Sequence, residues 1–209
     1  MVLASRHFWP LALWFFFICA IFFSFGGLWG GPYLQHVYGL DRTASGKILS
    51  MLSIGMIFGG PSLTWFSTHV LKARKPVIVL SSLISLFLVL PFVFWTDGLP
   101  LYTLYLICLG LGIFSSSIVV VGFAATKELF PVSIAGTSIG LVNLFPFAGG
   151  AVMQPVLGAV LEKGGRVGEA FTSAGYRNAF LVLFVCALLS LICSLFVKET
   201  QPSWRSKVE

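Results

Sequence analysis

FWPLALWFFFICAIFFSFGGLWGGPYL, running from Phe8 to Leu34, contains no charged side chain. A helix needs about 20 apolar residues to cross the hydrocarbon core of a bilayer, and this stretch exceeds that. Arg6 precedes it, as a basic residue precedes a signal peptide. A signal-peptide core, however, holds only about 7–15 apolar residues before a small-residue cleavage site. Here the run continues into Gly30-Gly31-Pro32-Tyr33. The stretch reads as a membrane span.

Five more segments of similar character follow. The spans fall at about 8–37, 44–68, 76–96, 100–126, 132–161 and 176–197. Punctuation supports the cuts. Thr43 can cap the second helix. Pro76 and Pro100 suit first-turn positions, where a missing N–H costs little. Asp97-Gly98 turns between the third and fourth spans. The longest connection, Lys163 to Gly175, is polar and glycine-rich. The segments are long and lack alternating polarity, which excludes barrel strands. The fold class is all-α: a polytopic membrane protein built as a six-helix bundle.

Composition agrees. Only 10% of the 209 residues are charged and 57% are hydrophobic, against about 25% charged in a soluble domain. The net charge of +6 does not indicate nucleic acid, because the basic residues are scattered at the ends of apolar runs and form no dense basic face. Cys19, Cys108, Cys186 and Cys193 each lie inside an apolar run and read as packing residues, not disulfides or metal ligands. Six spans put both termini on one side. If that side is cytoplasmic, it holds eight of the 13 basic residues: Arg6, Lys72, Arg74, Lys75, Lys127, Lys198, Arg205 and Lys207. The other five, Arg42, Lys47, Lys163, Arg166 and Arg177, lie outside. The positive-inside rule favours this orientation, in a plasma membrane or bacterial inner membrane. Residues 1–7 and 199–209 are then cytoplasmic.

Several helices carry small and polar residues at steps of three and four, which share a face. The second has Gly46, Ser50, Ser53, Ile57, Gly60, Thr64 and Ser67. The fourth has Tyr105, Cys108, Gly112, Ser115, Val119, Gly122 and Thr126. The fifth has Gly136, Gly140, Asn143, Phe147, Gly150, Gln154 and Gly158. The first has a more aromatic set: Phe22, Gly26, Trp29, Tyr33 and His36. Such stripes either pack helices closely, as at GxxxG pairs such as Gly55 and Gly59, or line a watery path. Packing is the better account of the glycines and serines. Asn143 and Gln154 must face protein or water, because an amide facing lipid is costly. The third and sixth helices lack such a stripe and read as lipid-facing. No charge falls mid-span; Lys127 and Glu128 read as interfacial anchors. No nucleophile elbow, zinc motif or phosphate loop is present, and no histidine is placed to activate a serine. Nothing suggests an enzyme, a metal or a cofactor.

The stretch from Gly60 to Pro76, GPSLTWFSTHVLKARKP, resembles the loop motif of the major facilitator superfamily. The family has glycine where Thr64 stands, aspartate where Thr68 stands and arginine where His69 stands. Lys72, Arg74 and Lys75 match its basic end. Lys127 to Asn143, KELFPVSIAGTSIGLVN, is similar to that family's junction between its tenth and eleventh helices. Gln154-Pro155 to Gly158 continues that pattern, and Gly30 to Leu40 is similar to its seventh helix and outer loop. The resemblance implies the C-terminal six-helix half of a transporter that moves a small solute by alternating access. The cavity helices would be the first, second, fourth and fifth, the four that bear stripes. It implies Trp29, Tyr33, Ser115 and Asn143 as substrate-cavity residues, with Phe25 and Gln154 beside them. The implied partners are the lipid bilayer, a small-molecule substrate of unspecified class, and either an N-terminal six-helix half or a second copy. A truncated or split gene product is the expected setting. The rival from another class is a membrane scaffold or assembly protein without transport.

Overall fold

The computed structural model describes residues 2–200. Arg205 and Lys207, two of the eight basic residues expected on the cytoplasmic side, lie outside that range. Six helices are long and apolar enough to span a bilayer: α1 Phe8–Tyr38, α2 Arg42–Val70, α3 Lys75–Phe94, α4 Leu101–Leu129, α5 Val132–Lys163 and α6 Ser173–Phe196. The six-helix expectation holds.

Local chemistry ends the helices. Gly39 closes α1 in a left-handed conformation, φ +64°, which glycine adopts at no steric cost. Asp41, not Thr43, caps α2: its carboxylate accepts from the Ala44 N–H at 2.6 Å. Asp41 holds the extended backbone a cap needs, while Thr43 already lies inside the helix. Thr172 caps α6, accepting from Gly175 N at 3.0 Å. The connection before it folds into a short hairpin, β1 Arg166–Val167 with β2 Ala170–Phe171.

The helix α1 lies at the centre, against α5 and α6, and α2 packs on α4 while α3 packs on α6. The α2–α4 crossing is backbone on backbone. A Cβ added at Gly55 would run into the Leu109 carbonyl, and one at Gly112 into the Leu52 carbonyl. Only residues without a Cβ permit this approach.

The helices α3 and α6 turn their hydroxyls inward. Ser81, Ser82, Ser85, Ser190 and Ser194 are buried, whereas Leu80, Phe87, Val185 and Ile192 are exposed. Trp14 Nε1 on α1 donates to Ser82 Oγ at 2.8 Å. This inside-out polarity suits contact with lipid on the outer side. The opposite side of the bundle is less covered: 28% of the most apolar window of α5 is buried, and 33% of that of α2, against 44% for α3 and 39% for α6. That open side carries the site.

Three helices contain π-turns: Phe25–Trp29 in α1, Phe66–Val70 in α2 and Gly112–Ser117 in α4. A π-turn adds a residue to the local turn and rotates the downstream side chains by about 100° relative to an unbroken α-helix. This rotation decides which side chains reach the open face.

Candidate functional site: a groove and the contacts at its ends

A cavity of about 350 Å³ opens between α1, α2, α4 and α5. Phe22 and Phe23 come from α1, Met56 and Gly60 from α2, Ser116 and Phe123 from α4, and Asn143 and Phe147 from α5. Asn143 stands at a break in α5, with ψ −14° between two regular helical stretches. That break, with Pro146 one turn on, holds its exposed side chain at the groove wall.

Of the residues the resemblance implied, Asn143 lines this groove. Trp29 and Gln154 lie nearby, on the seam between α1 and α5. Gln154 Nε2 donates to Phe23 O at 2.9 Å, just before the π-turn of α1. Trp29 Nε1, at the end of that turn, donates to Gln154 O at 2.9 Å. The two bonds lock α5 to the irregular part of α1, where a π-turn leaves carbonyls short of helical partners. The Trp29 ring covers Gly158.

The other three side chains point elsewhere. Tyr33 is fully buried and its hydroxyl donates to Thr96 O, after α3, at 2.5 Å. Its ring packs edge-on against Phe180 of α6, centroids 4.7 Å apart. Phe25 packs on Phe92 of α3 at 4.9 Å. Ser115 is buried, with its hydroxyl bonded to Ser85 of α3 at 2.9 Å. In this structure Phe25, Tyr33 and Ser115 join the wall of the bundle to α3 and α6, and they do not reach the groove. The π-turns account for Tyr33 and Ser115, whereas Phe25 stands at the start of its turn and off the stripe. Downstream of Phe25 the aromatic stripe of α1 rotates away from Phe22, and within Gly112–Ser117 it is Ser116, not Ser115, that lines the cavity. Spacing alone missed Ser116, Met56 and Phe123, though Phe22 and Phe147 already stood on stripes.

One end of the bundle is braced by charge. Arg74, between α2 and α3, is only 7% exposed. Its guanidinium pairs with Glu128 at the end of α4, Nη2 to Oε1 2.9 Å, and Nε lies 3.3 Å from both carboxylate oxygens. Nη1 donates to Thr68 Oγ1 at 2.9 Å and Ser67 Oγ at 3.1 Å. Thr68 therefore supplies a hydroxyl acceptor where the family motif has a carboxylate. Glu199, beyond α6, accepts from the Arg74 and Thr200 backbone N–H groups at 2.8 and 2.9 Å. The reading of Glu128 as a mere interfacial anchor is corrected: it is the buried counter-ion of a loop that ties α2 and α3 to α4 and the end of α6. The rest of the motif is looser. His69 stacks on Trp65 with ring centroids 5.9 Å apart, Gly60 lines the groove, Thr64 Oγ1 is buried without a partner, and Lys72 is exposed. The Lys75 N–H points at Glu199 from 3.4 Å.

The other end is closed by aromatic contacts, with an exposed Arg166–Glu162 ion pair beside them. His36 Nδ1 accepts from the Phe171 N–H of the hairpin at 3.3 Å and lies 3.0 Å from the Tyr176 hydroxyl. The Arg166 guanidinium lies 4.3 Å over the Phe171 ring. Among the described residues, no group of His, Cys, Asp and Glu could hold a metal ion.

A six-helix apolar bundle, grooved between four of its helices and braced by a charged loop at one end, defines a membrane transport unit, half of a two-half carrier fold. A family model described as Major Facilitator Superfamily matches residues 11–209, and the chain belongs to that family. Comparison with curated proteins finds no match. Family membership makes this a multi-pass membrane protein of a transporter family, not of an enzyme family.

Proposed function

We propose that the chain is the C-terminal half of a secondary transporter that moves a small solute by alternating access, working against an N-terminal six-helix half. The observation that carries this reading is the groove. It is formed by α1, α2, α4 and α5, and the least covered helices, α2 and α5, flank it. A bundle that rocks against a partner leaves such faces free for it. Asn143 is the solute-facing amide, and Trp29 and Gln154 hold the α1–α5 seam behind it. The Arg74–Glu128–Glu199 contacts keep α2, α3, α4 and α6 together at one end, so the half moves as a body. The braced end also gathers Lys72, Arg74, Lys75 and Lys127, which supports placing it and both termini in the cytoplasm, in a plasma or bacterial inner membrane.

Two measurements test the reading. The DNA directly upstream is expected to encode six further helices in frame; otherwise a separately encoded half should copurify with this chain. Proteoliposomes holding both halves are expected to accumulate a solute from a labelled panel, with uptake abolished by Asn143→Leu and insertion unchanged. Uptake that is absent with both halves present, across the panel, would sink the proposal.

A further inference from the structure

We infer that the wall this half gives to the binding site takes an uncharged solute, with an aromatic or branched apolar body and a single amide- or hydroxyl-type group. The inference rests on the proposed transport function only for the purpose of the groove. The chemistry comes from its lining.

Phe22, Phe23, Phe123, Phe147 and Met56 are the largest side chains that line the groove. Phe23 and Phe147, from α1 and α5, stack with centroids 5.8 Å apart and an interplanar angle of 30°. They form a continuous aromatic face across the seam. Flat rings and a flexible thioether favour a ligand with π-surface or branched carbon. No lining residue is ionisable as a base or carboxylic acid; Cys19 is the one titratable group. A carboxylate or phosphate set against this wall would lose water and gain no counter-charge, which is strongly unfavourable.

Two polar side chains remain uncommitted. Ser115 is spent on Ser85 and Ser117 on the Ile113 carbonyl. The side chains of Ser116, between them, and Asn143, across the groove, make no hydrogen bond to another described residue, and both residues line the cavity. The pair offers a donor and acceptors to a neutral polar group, and the rest of the wall offers none of comparable freedom. Gln154, the other amide, is occupied by the Phe23 carbonyl. A volume of about 350 Å³ is at the small end for ligand sites, roughly 300–1,000 Å³. It suits a one- or two-ring solute.

The test compares two photoreactive isosteres, para-benzoylbenzamide and para-benzoylbenzoate, which share a body and differ in charge. The full chain is placed in phosphatidylcholine nanodiscs and irradiated, and labelled peptides are mapped by mass spectrometry. The amide is expected to label the Met56 region and the Phe22–Phe23 or Phe147 peptides saturably, with an apparent affinity at least tenfold above that of the carboxylate. Asn143→Leu, at an exposed position, should weaken the amide roughly tenfold by removing one good hydrogen bond. Ser116→Ala should weaken it less. Equal labelling by the carboxylate, or undiminished labelling of the Asn143→Leu chain, overturns the inference. Passage of the tritiated amide through proteoliposomes with both halves separates the two claims. Selective binding without passage counts against transport and keeps the assignment of chemistry. Passage of both isosteres alike supports transport and removes the assignment.

Discussion

The pair α3–α6 and the pair α2–α5 use the same small polar residues in opposite ways. On α3 and α6 the serines point inward and large apolar side chains point out. On α2 and α5, Ser50, Ser53, Gly136, Gly140 and Asn143 are exposed. A soluble protein would bury the leucines and expose the serines everywhere. In lipid there is no such drive, so small hydroxyl residues go wherever helix must meet helix. On the α3–α6 side the meeting has happened within this chain. On the α2–α5 side the surfaces have no partner among the described residues. The difference separates a finished interface from one open to a partner, and substitutions can test where the boundary runs.

The largest effect is expected on the finished side, at the braced end. Arg74→Ala leaves Glu128, 13% exposed, without its counter-ion, and breaking a buried pair costs about 3–5 kcal/mol. Lys72→Ala, two residues away but exposed, should change stability by less than about 0.5 kcal/mol. Reversible unfolding in mixed micelles would measure both. Equal losses would show that the loop acts through its total charge and not through one buried contact.

Next comes the helix crossing. Gly112→Val puts a branched Cβ into the Leu52 carbonyl and should cost about 3 kcal/mol, splaying α2 from α4. Gly140→Val, where an added Cβ meets nothing within 4 Å, should leave the isolated bundle within about 0.5 kcal/mol of the parent. If Gly140→Val destabilises the lone chain as much as Gly112→Val does, the open face is already occupied, most simply by a second copy. A hydroxyl pair repeats the contrast at smaller scale. Ser85→Ala strands Ser115 in the core and should cost about 1 kcal/mol. Ser53→Ala on the open side should cost almost nothing.

The same contrast separates the features legible in the sequence from those that were not. The six spans were legible because crossing a bilayer demands apolar length, and Phe8–Leu34 or Tyr176–Val197 leave no alternative. The expectation that α3 and α6 face lipid accords with their exposed leucines, valines and phenylalanines. Which stripe residues would reach the groove was not legible. A three-four periodicity assumes an unbroken α-helix, and π-turns at Phe25–Trp29 and Gly112–Ser117 carry no signature beyond Gly26-Gly27 and a serine run. They sent Tyr33 and Ser115 to the back and brought Ser116 forward. The Arg74–Glu128 pair was hidden for another reason. Its members lie 54 residues apart, Arg74 in the α2–α3 loop and Glu128 at the end of α4, and Glu128 alone reads as an interfacial charge.

The smallest effect is also the most specific to the loop. Lys72 is the one non-glycine residue with positive φ among the described residues, at +51°. A side chain there crowds its own carbonyl by roughly 1–2 kcal/mol, which glycine avoids. Glycine also gains freedom in the unfolded chain, worth about 0.5–1 kcal/mol in the opposite sense. The two terms leave Lys72→Gly stabilising by about 0.5 kcal/mol, read as a small rise in the unfolding midpoint. The gain depends on the turn being held from outside, by the Arg74 contacts to Glu128 and Glu199. In the Arg74→Ala background the loop is free to leave the left-handed conformation, and the same substitution should then be neutral or destabilising. A gain that persists without Arg74 would mean that the turn is intrinsic to the chain between α2 and α3 and is not imposed by the buried charge.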